Sequence, residues 1–403
     1  MLYGSKRADL PERWCTMSQR FGFKGNLALM VSHSAGMLDL VALPLWIGVL
    51  VATYHFDSQQ AGGLVTLFLI GAVCASILIA PRFKKLNRRM VSSFGFFASG
   101  LCFFAASQIN DYVQLSFLHL LAGISSSAAL SMAHGTFARG ENPHRLFAIA
   151  GLTLGIMAFV FMGATPNITK AVGGHSLFII FGGIMTFAAF VCAVAFPSLV
   201  LDEEGCENAK QVVTKIPSSV WYGIVGISLM AVTQAMTFSF MERVGSDRGF
   251  STESVTLVLI VLTVINIVAA ASAGIFEKRL SARVVLCTGP ILQIILSNIM
   301  MNASSFAFYA ASASCFVSLM IFTHTFVFGL LARLDESGRA LAATPAMLMI
   351  GAAVGPILGG TIIKFVGYQG IGIAALVFGT ISLVCFIRVF QRSSDAIQSE
   401  SVA

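Results

Sequence analysis

The sequence predicts an all-α integral membrane protein of 12 transmembrane helices, built as two parallel six-helix repeats with both termini in the cytoplasm. Three observations predict it. Of 403 residues, 57% are hydrophobic and only 11% charged, whereas soluble domains carry roughly 25% charged residues. Apolar runs long enough to cross a bilayer, which takes about 20 residues, recur from one end of the chain to the other. Lys and Arg gather in alternate loops. The runs are too long and too evenly apolar for barrel strands, so helices are the only spanning structure left. The net charge of +7 lies in loops between spans, where it sets orientation, so nucleic acid is not expected as a partner.

In chain order, residues 1–25 form a polar, basic tail with no small-residue cleavage site behind an apolar core. The first span, 26–54, is therefore expected to stay as an anchor. Span two (60–81) runs into the basic stretch from Arg82 to Arg89. Spans three to six follow at 90–109, 112–137, 146–166 and 175–197 and complete an N-terminal half, 26–197. Residues 198–217, SLVLDEEGCENAKQVVTKIP, are polar and end in proline, which marks a cytoplasmic linker. Spans seven to twelve, at 218–241, 252–275, 284–303, 305–331, 340–365 and 369–389, make a C-terminal half, 218–389, followed by a tail, 390–403. Glycine is frequent inside the spans, as close helix approach in lipid requires.

Most of the 25 Lys and Arg fall on one side of this arrangement; Lys170, Arg243, Arg248 and Lys364 fall on the other. The asymmetry puts both termini in the cytoplasm and agrees with an even number of spans. A shift of 194 residues lays Lys84-Lys85-Leu86 on Lys278-Arg279-Leu280, Arg89 on Arg283, Ala138-Arg139 on Ala332-Arg333 and Arg145 on Arg339. Two separate loops match in one register, the mark of an internal duplication. A shift of six spans preserves topology, so the halves are expected to be parallel repeats about an axis normal to the membrane.

Asp39 lies near the middle of span one; the other acidic residues fall in tails, in loops or at span ends. A carboxylate at the bilayer centre costs about 2.5–3.5 kcal/mol on insertion scales. Taking a carboxylate out of water disfavours its charged form, which suits it to exchange a proton. Asp39 is the first candidate for a proton or substrate site. Ser32, Ala35 and Gly36 share its helical face and would line a small, polar cavity wall; Pro44 is expected to bend the outer half of the span.

The basic run after span two, Ala80-Pro81-Arg82-Phe83-Lys84-Lys85-Leu86-Asn87-Arg88-Arg89, resembles the loop G-x-L-A-D-R-x-G-R-R/K of the major facilitator superfamily. The basic positions match at Lys85, Arg88 and Arg89; Ala80 and Asn87 replace the glycines, and Lys84 stands in place of Asp. The resemblance covers about residues 25–390 and implies a two-half transporter. It also implies a cytoplasmic gate loop at Lys85, Arg88, Arg89, Lys278, Arg279 and Arg283, and a cavity lined by spans one, four, seven and ten. In span four, His119-Leu-Leu-Ala-Gly123 puts His119 where members of the family often carry Arg. Proton–drug antiporters of the family show G-x-x-x-G-P-x-x-G-G in span five. Here the pattern stands in span eleven, as Gly351, Gly355, Pro356, Gly359 and Gly360, where it promises close packing and a bend.

Other polar residues in the spans complete the candidate set. His33, His119, His134 and His324 can relay protons between about pH 5 and 8. His33 is six residues from Asp39 and points to a different face. The four histidines share no ligand-like spacing, so no metal is expected. The eight cysteines show no metal spacing either. Gln234 in span seven is a cavity candidate, Asn266 in span eight an interhelical contact, and Trp46 either an aromatic platform for a ligand or part of an interfacial belt. No Lys or Arg lies mid-span, and fixed carboxylates and phosphates are most often clamped by Arg, which disfavours strong dianions as substrates.

These readings predict a secondary active transporter that moves a small organic solute by alternating access and couples to protons through Asp39. Import is favoured over export because span five lacks the antiporter pattern; the alternative is a proton-coupled efflux antiporter for drug-like or metabolite compounds. No GxxxxGK[ST] is present, so the proton gradient, with no cofactor, is the expected energy source. An enzyme would need clustered nucleophiles or ligands at one depth, and a sensor a signalling extension. The expected setting is a bacterial inner membrane, as a multi-pass monomer in contact with lipid.

Overall fold

The computed structural model describes residues 20–79, 82–83, 85–197, 217–276, 279–334 and 344–402. It contains 12 helices long and apolar enough to cross a membrane, and no strand among the described residues. Two spans are broken. Span one is Phe23–Gly36 followed by Leu38–Ala52. Span seven is Ser218–Ser239 followed by Met241–Asp247, which carries it beyond the expected limit at residue 241. The remaining spans are unbroken: Ser58–Ile79, Arg88–Ala106, Tyr112–Phe137, Pro143–Val172, Ser176–Ala195, Thr252–Phe276, Ala282–Asn302, Phe306–Leu334, Thr344–Val366 and Tyr368–Val402. The tails before residue 20 and most of the expected linker lie outside the described residues.

The register of 194 residues recurs in the backbone. Spans two, three and four begin at Ser58, Arg88 and Tyr112, and their counterparts begin at Thr252, Ala282 and Phe306. Spans five and eleven end at Val172 and Val366. Helix caps repeat with it. Asn87 accepts from the Met90 N–H and Ser281 from the Val284 N–H, each satisfying one orphan donor of a first turn. At the far end of the same helices, the Tyr54 hydroxyl donates to the Ala106 carbonyl at 3.1 Å. Arg248, its counterpart, donates to the carbonyls of Met300, Met301 and Ala303. Last-turn carbonyls have no intrahelical partner, and both halves meet that need from the same position with different chemistry.

The halves meet along span eleven. A Cβ on Gly355 would lie 2.7 Å from the Met236 nitrogen, and one on Gly351 2.9 Å from the Val232 nitrogen. These glycines let span eleven press on the backbone of span seven. On its other side, Gly360 approaches Ser58, and Gly62 of span two approaches Pro356. Thr66 of span two inserts its hydroxyl into the span-eleven ladder, donating to the Ala353 carbonyl at 2.8 Å and accepting from the Ile357 N–H at 3.1 Å. Pro356 has already removed one ladder bond there, so a side chain from the other half repairs the bend. The packing motif expected in span eleven thus packs two ways: Gly351, Gly355 and Gly359 on span seven of the same half, Pro356 and Gly360 on span two of the other half.

Arg248→Ala should leave buried carbonyls at the end of span nine without donors, at a cost of about 1–3 kcal/mol. Tyr54→Phe, which removes one neutral bond, should cost about 0.5–1.5 kcal/mol. Thermal unfolding of the purified protein in detergent should rank Arg248→Ala as the more destabilised of the two.

Candidate functional site

Asp39 lies in the first turn of Leu38–Ala52, directly after the break in span one. The break is at Met37, whose backbone leaves the helical region and whose N–H bonds to His33 and Ala35 carbonyls. Pro44, expected to bend the span, lies inside the second segment. The Asp39 side chain is buried at 8% exposure, and its Oδ1 has no hydrogen-bond partner. The donors within its reach are the backbone N–H groups of Asp39 and Leu40, which a helix start leaves free. A mid-membrane carboxyl at a helix discontinuity is the strongest chemical feature of the N-terminal half.

The residues expected on the face of Asp39 are elsewhere, because the break at Met37 ends the helical phase that would join them. Ser32 donates to the Ala28 carbonyl at 2.7 Å and touches the Cys192 sulfur at 3.1 Å. Gly36 packs on the Leu130 side chain of span four. Both contact other spans of the N-terminal half.

His119 and Trp46 come together in the core. Each is 1% exposed, so Trp46 is not part of an interfacial belt. The Trp46 indole N–H donates to His119 Nε2 at 3.3 Å, and His119 Nδ1 lies 2.7 Å from the Leu115 carbonyl. A carbonyl only accepts and an indole only donates, so the ring is neutral with its hydrogen on Nδ1. Phe103, Phe178 and Phe181 surround the pair. At this position a neutral ring sits in an aromatic core.

His33 and His134 come together, which their spacing did not suggest. His33 Nδ1 lies 3.0 Å from His134 Nε2, with Phe137 against both rings. One ring donates and the other accepts, so the pair can share one proton, not two. No group of three metal-ligating side chains occurs among the described residues. His324 donates from Nδ1 to the Met320 carbonyl at 2.9 Å and stacks beside Phe328; its Nε2 is the atom left for other chemistry. Gln234 accepts from Gln293 of span nine at 3.4 Å, while its own Nε2 is buried and unpartnered. Gln293, fully buried and bonded to the Met230 carbonyl, escaped the sequence reading because nothing local sets it apart. Asn266 keeps an unpartnered Oδ1.

On the basic face, Arg89 donates twice to the last carbonyls of span six, Ala193 and Val194, at 2.6 Å. It caps a helix within its own half. Arg88 and Arg139 lie over the Phe83 ring, at 5.4 and 4.3 Å from its centroid. Among the described residues, Lys85, Arg279 and Arg283 make no contact between the halves; Lys278 lies outside them.

The opposite face is closed by two bridges that obey the repeat. Lys170, at the end of span five, pairs with Glu253 of span eight at 2.8 Å. Its counterpart Lys364, at the end of span eleven, pairs with Asp57 at 2.9 Å and donates to Gln59 at 3.1 Å. Gln59 occupies the position equivalent to Glu253. Burial by itself would push the Asp57 carboxyl up; the hydrogen bonds from Lys364 and the Gln60 N–H, with the lysine's charge, outweigh it and hold its pKa below the ordinary 3.8. Two pseudo-symmetric ion pairs between the halves and a buried carboxyl at a helix break mark the molecule.

The Major Facilitator Superfamily profile matches residues 27–334 and 223–401. The chain belongs to the major facilitator superfamily. Solved structures agree with this superfamily fold. A point mutant of the nucleoside transporter NupG is 14% identical and superposes with a TM-score of 0.71 over 91% of this chain and 99% of its own. A bacterial homologue of the human lysosomal transporter Spinster, solved inward-facing and unoccupied, is 13% identical with a TM-score of 0.69 over 92% and 96%. No curated protein matches the chain. As a superfamily member, the protein is a multi-pass membrane transporter of small solutes and not an enzyme.

Half-exposed ion pairs contribute about 0.2–1 kcal/mol each. Lys364→Ala should therefore raise the population open at this face by no more than about fivefold. The charge-swapped pair Asp57→Lys with Lys364→Asp should restore closure, read by thiol labelling of a cysteine placed under the latch. Because the carboxyl pKa of Asp57 is lowered, the latch is complete above pH 3.8 and is lost only as pH falls below it. Between pH 5 and 8 this bridge should not respond.

Proposed function

We propose that this protein is a proton-coupled secondary active transporter working by alternating access, with Asp39 as the group that gains and loses the coupling proton. The single observation that carries the reading is the Asp39 carboxyl, buried in mid-span at a helix break with one oxygen unpartnered. A charge there is costly, and a break lets the two segments of span one move separately. Protonation removes the charge and permits the halves to reorient; ionisation becomes favourable when water reaches the carboxyl. The proton gradient is the energy source, and no cofactor takes part.

The basic loops mark the cytoplasmic face, so the latched face is the outer one. Import is the favoured direction, since span five lacks the antiporter pattern. The substrate is a small organic solute without fixed double negative charge, because no mid-span cation is available to clamp one. The protein works as a monomer in a bacterial inner membrane. Nucleosides belong in the substrate panel because of the fold shared with NupG, beside amino acids, aromatic acids, sugars and organic cations.

A thermal-shift screen identifies the solute first; a ligand at 100 times its dissociation constant stabilises by about 2.7 kcal/mol. In proteoliposomes, collapse of the proton gradient should then abolish accumulation. Asp39→Asn should lose accumulation yet keep solute-for-solute exchange within severalfold of wild type. Gradient-driven accumulation by Asp39→Asn would remove Asp39 from the coupling step.

A further inference from the structure

A second carboxyl lies at the other broken span. Glu242 follows the break at Phe240 by two residues, as Asp39 follows Met37. Its position close to a span end hid it in the sequence. Its Oε1 accepts from the Ser246 hydroxyl at 2.8 Å. Its Oε2 is shut off from solvent and has no hydrogen-bond partner. That oxygen presses on Gly48 of span one, where an added Cβ would collide with it and lie 2.9 Å from the carboxyl carbon. The contact joins the two halves in the part of the membrane closed by the latches. Gly48 and Glu242 are also equivalent positions in the repeat, 194 residues apart, so the pseudo-symmetry axis sets glycine against carboxyl.

The surrounding charges are occupied. On its own segment, Arg243 pairs with Asp247 at 2.6 Å. Tyr368 of span twelve donates to Asp247 at 2.6 Å, and Tyr309 of span ten donates to the Met241 carbonyl at 2.9 Å. Arg248 is bound to the end of span nine, and Glu253 of span eight to Lys170. Span one presents Gly48 itself; its ionisable Asp39 is nine residues away, about 13 Å along a helix. None of these groups donates to Oε2. An ionised carboxylate with one oxygen sealed against a glycine and no donor is the costlier form, the neutral acid the cheaper one.

We propose that Glu242 is a second proton-binding site: it holds a proton while spans one and seven are pressed together at Gly48, and it gives that proton to water when the Met241–Asp247 segment withdraws and the latched face opens. Acid on that side closes the face over a loaded transporter. The site rests on alternating access but not on Asp39.

The test is double electron–electron resonance between spin labels at Val172 and Val366, the exposed ends of spans five and eleven, in lipid nanodiscs from pH 5.5 to 8.5. In the wild type, the long-distance population should grow by about tenfold relative to the short one as pH rises, the effect of one unit of difference in proton affinity between the two states. Glu242→Gln should stay in the short-distance state throughout, with the pH response gone. Asp39→Asn should change the balance of the two populations but keep a rise with pH that Asp39→Asn with Glu242→Gln loses, so failure of the Asp39 reading leaves this result standing. Gly48→Ala should open the face even at pH 5.5, and Gly48→Ala with Glu242→Ala should close it again. An unchanged pH response in Glu242→Gln, or no response in the wild type, overturns the proposal without recourse to the Gly48 variants.

Discussion

The approach of backbone to backbone along span eleven is the constraint on which the rest of the structure depends. Lipid offers no hydrogen-bond partners, so each span must satisfy its own ladder or borrow from a neighbour. Span eleven breaks its ladder at Pro356 and borrows the Thr66 hydroxyl from the other half. That loan ties the bend to closure of the molecule. Gly351 and Gly355 let span seven of the same half lie close against it, and the Lys364 bridge lies about two turns beyond Pro356 along the same helix.

The duplication supplies a symmetric scaffold and an asymmetric chemistry. Caps fall at equivalent positions in both halves: Asn87 with Ser281, and Tyr54 with Arg248. The latches do the same through Lys170 and Lys364. The helix breaks do not. One lies at Met37 in the middle of span one, the other at Phe240 towards the end of span seven. Each is followed by a carboxyl with an unpartnered oxygen. Structural elements that hold the ends of helices repeat because the physical need repeats. Elements that carry charge into the membrane are few because each is costly, so the halves carry theirs at different depths.

The fold was legible because its signals are local and additive. Twenty apolar residues in a row declare a span whatever surrounds them, and the loop match of Lys84-Lys85-Leu86 with Lys278-Arg279-Leu280 declared the repeat. Asp39 was legible for the same reason, as an acid in an apolar run. Glu242 was not, because its distance to a span end says nothing about what covers it. Spacing along the chain separated His33 from His134, and packing of spans one and four joined them. The helical face assigned to Ser32, Gly36 and Asp39 runs across the break at Met37, which Gly36 immediately precedes.

By itself, the sequence determined the class of protein, the number of spans, the duplication and the presence of one acid in mid-membrane, since hydrophobicity and charge act position by position. Tertiary structure alone decided that His119 is a neutral core ring held by Trp46 and Leu115, and that the span-eleven motif packs on span seven on one side and on span two on the other. It alone set Glu242 against Gly48. Those outcomes depend on which surfaces meet across a hundred or more residues of chain, and no local pattern encodes the partner.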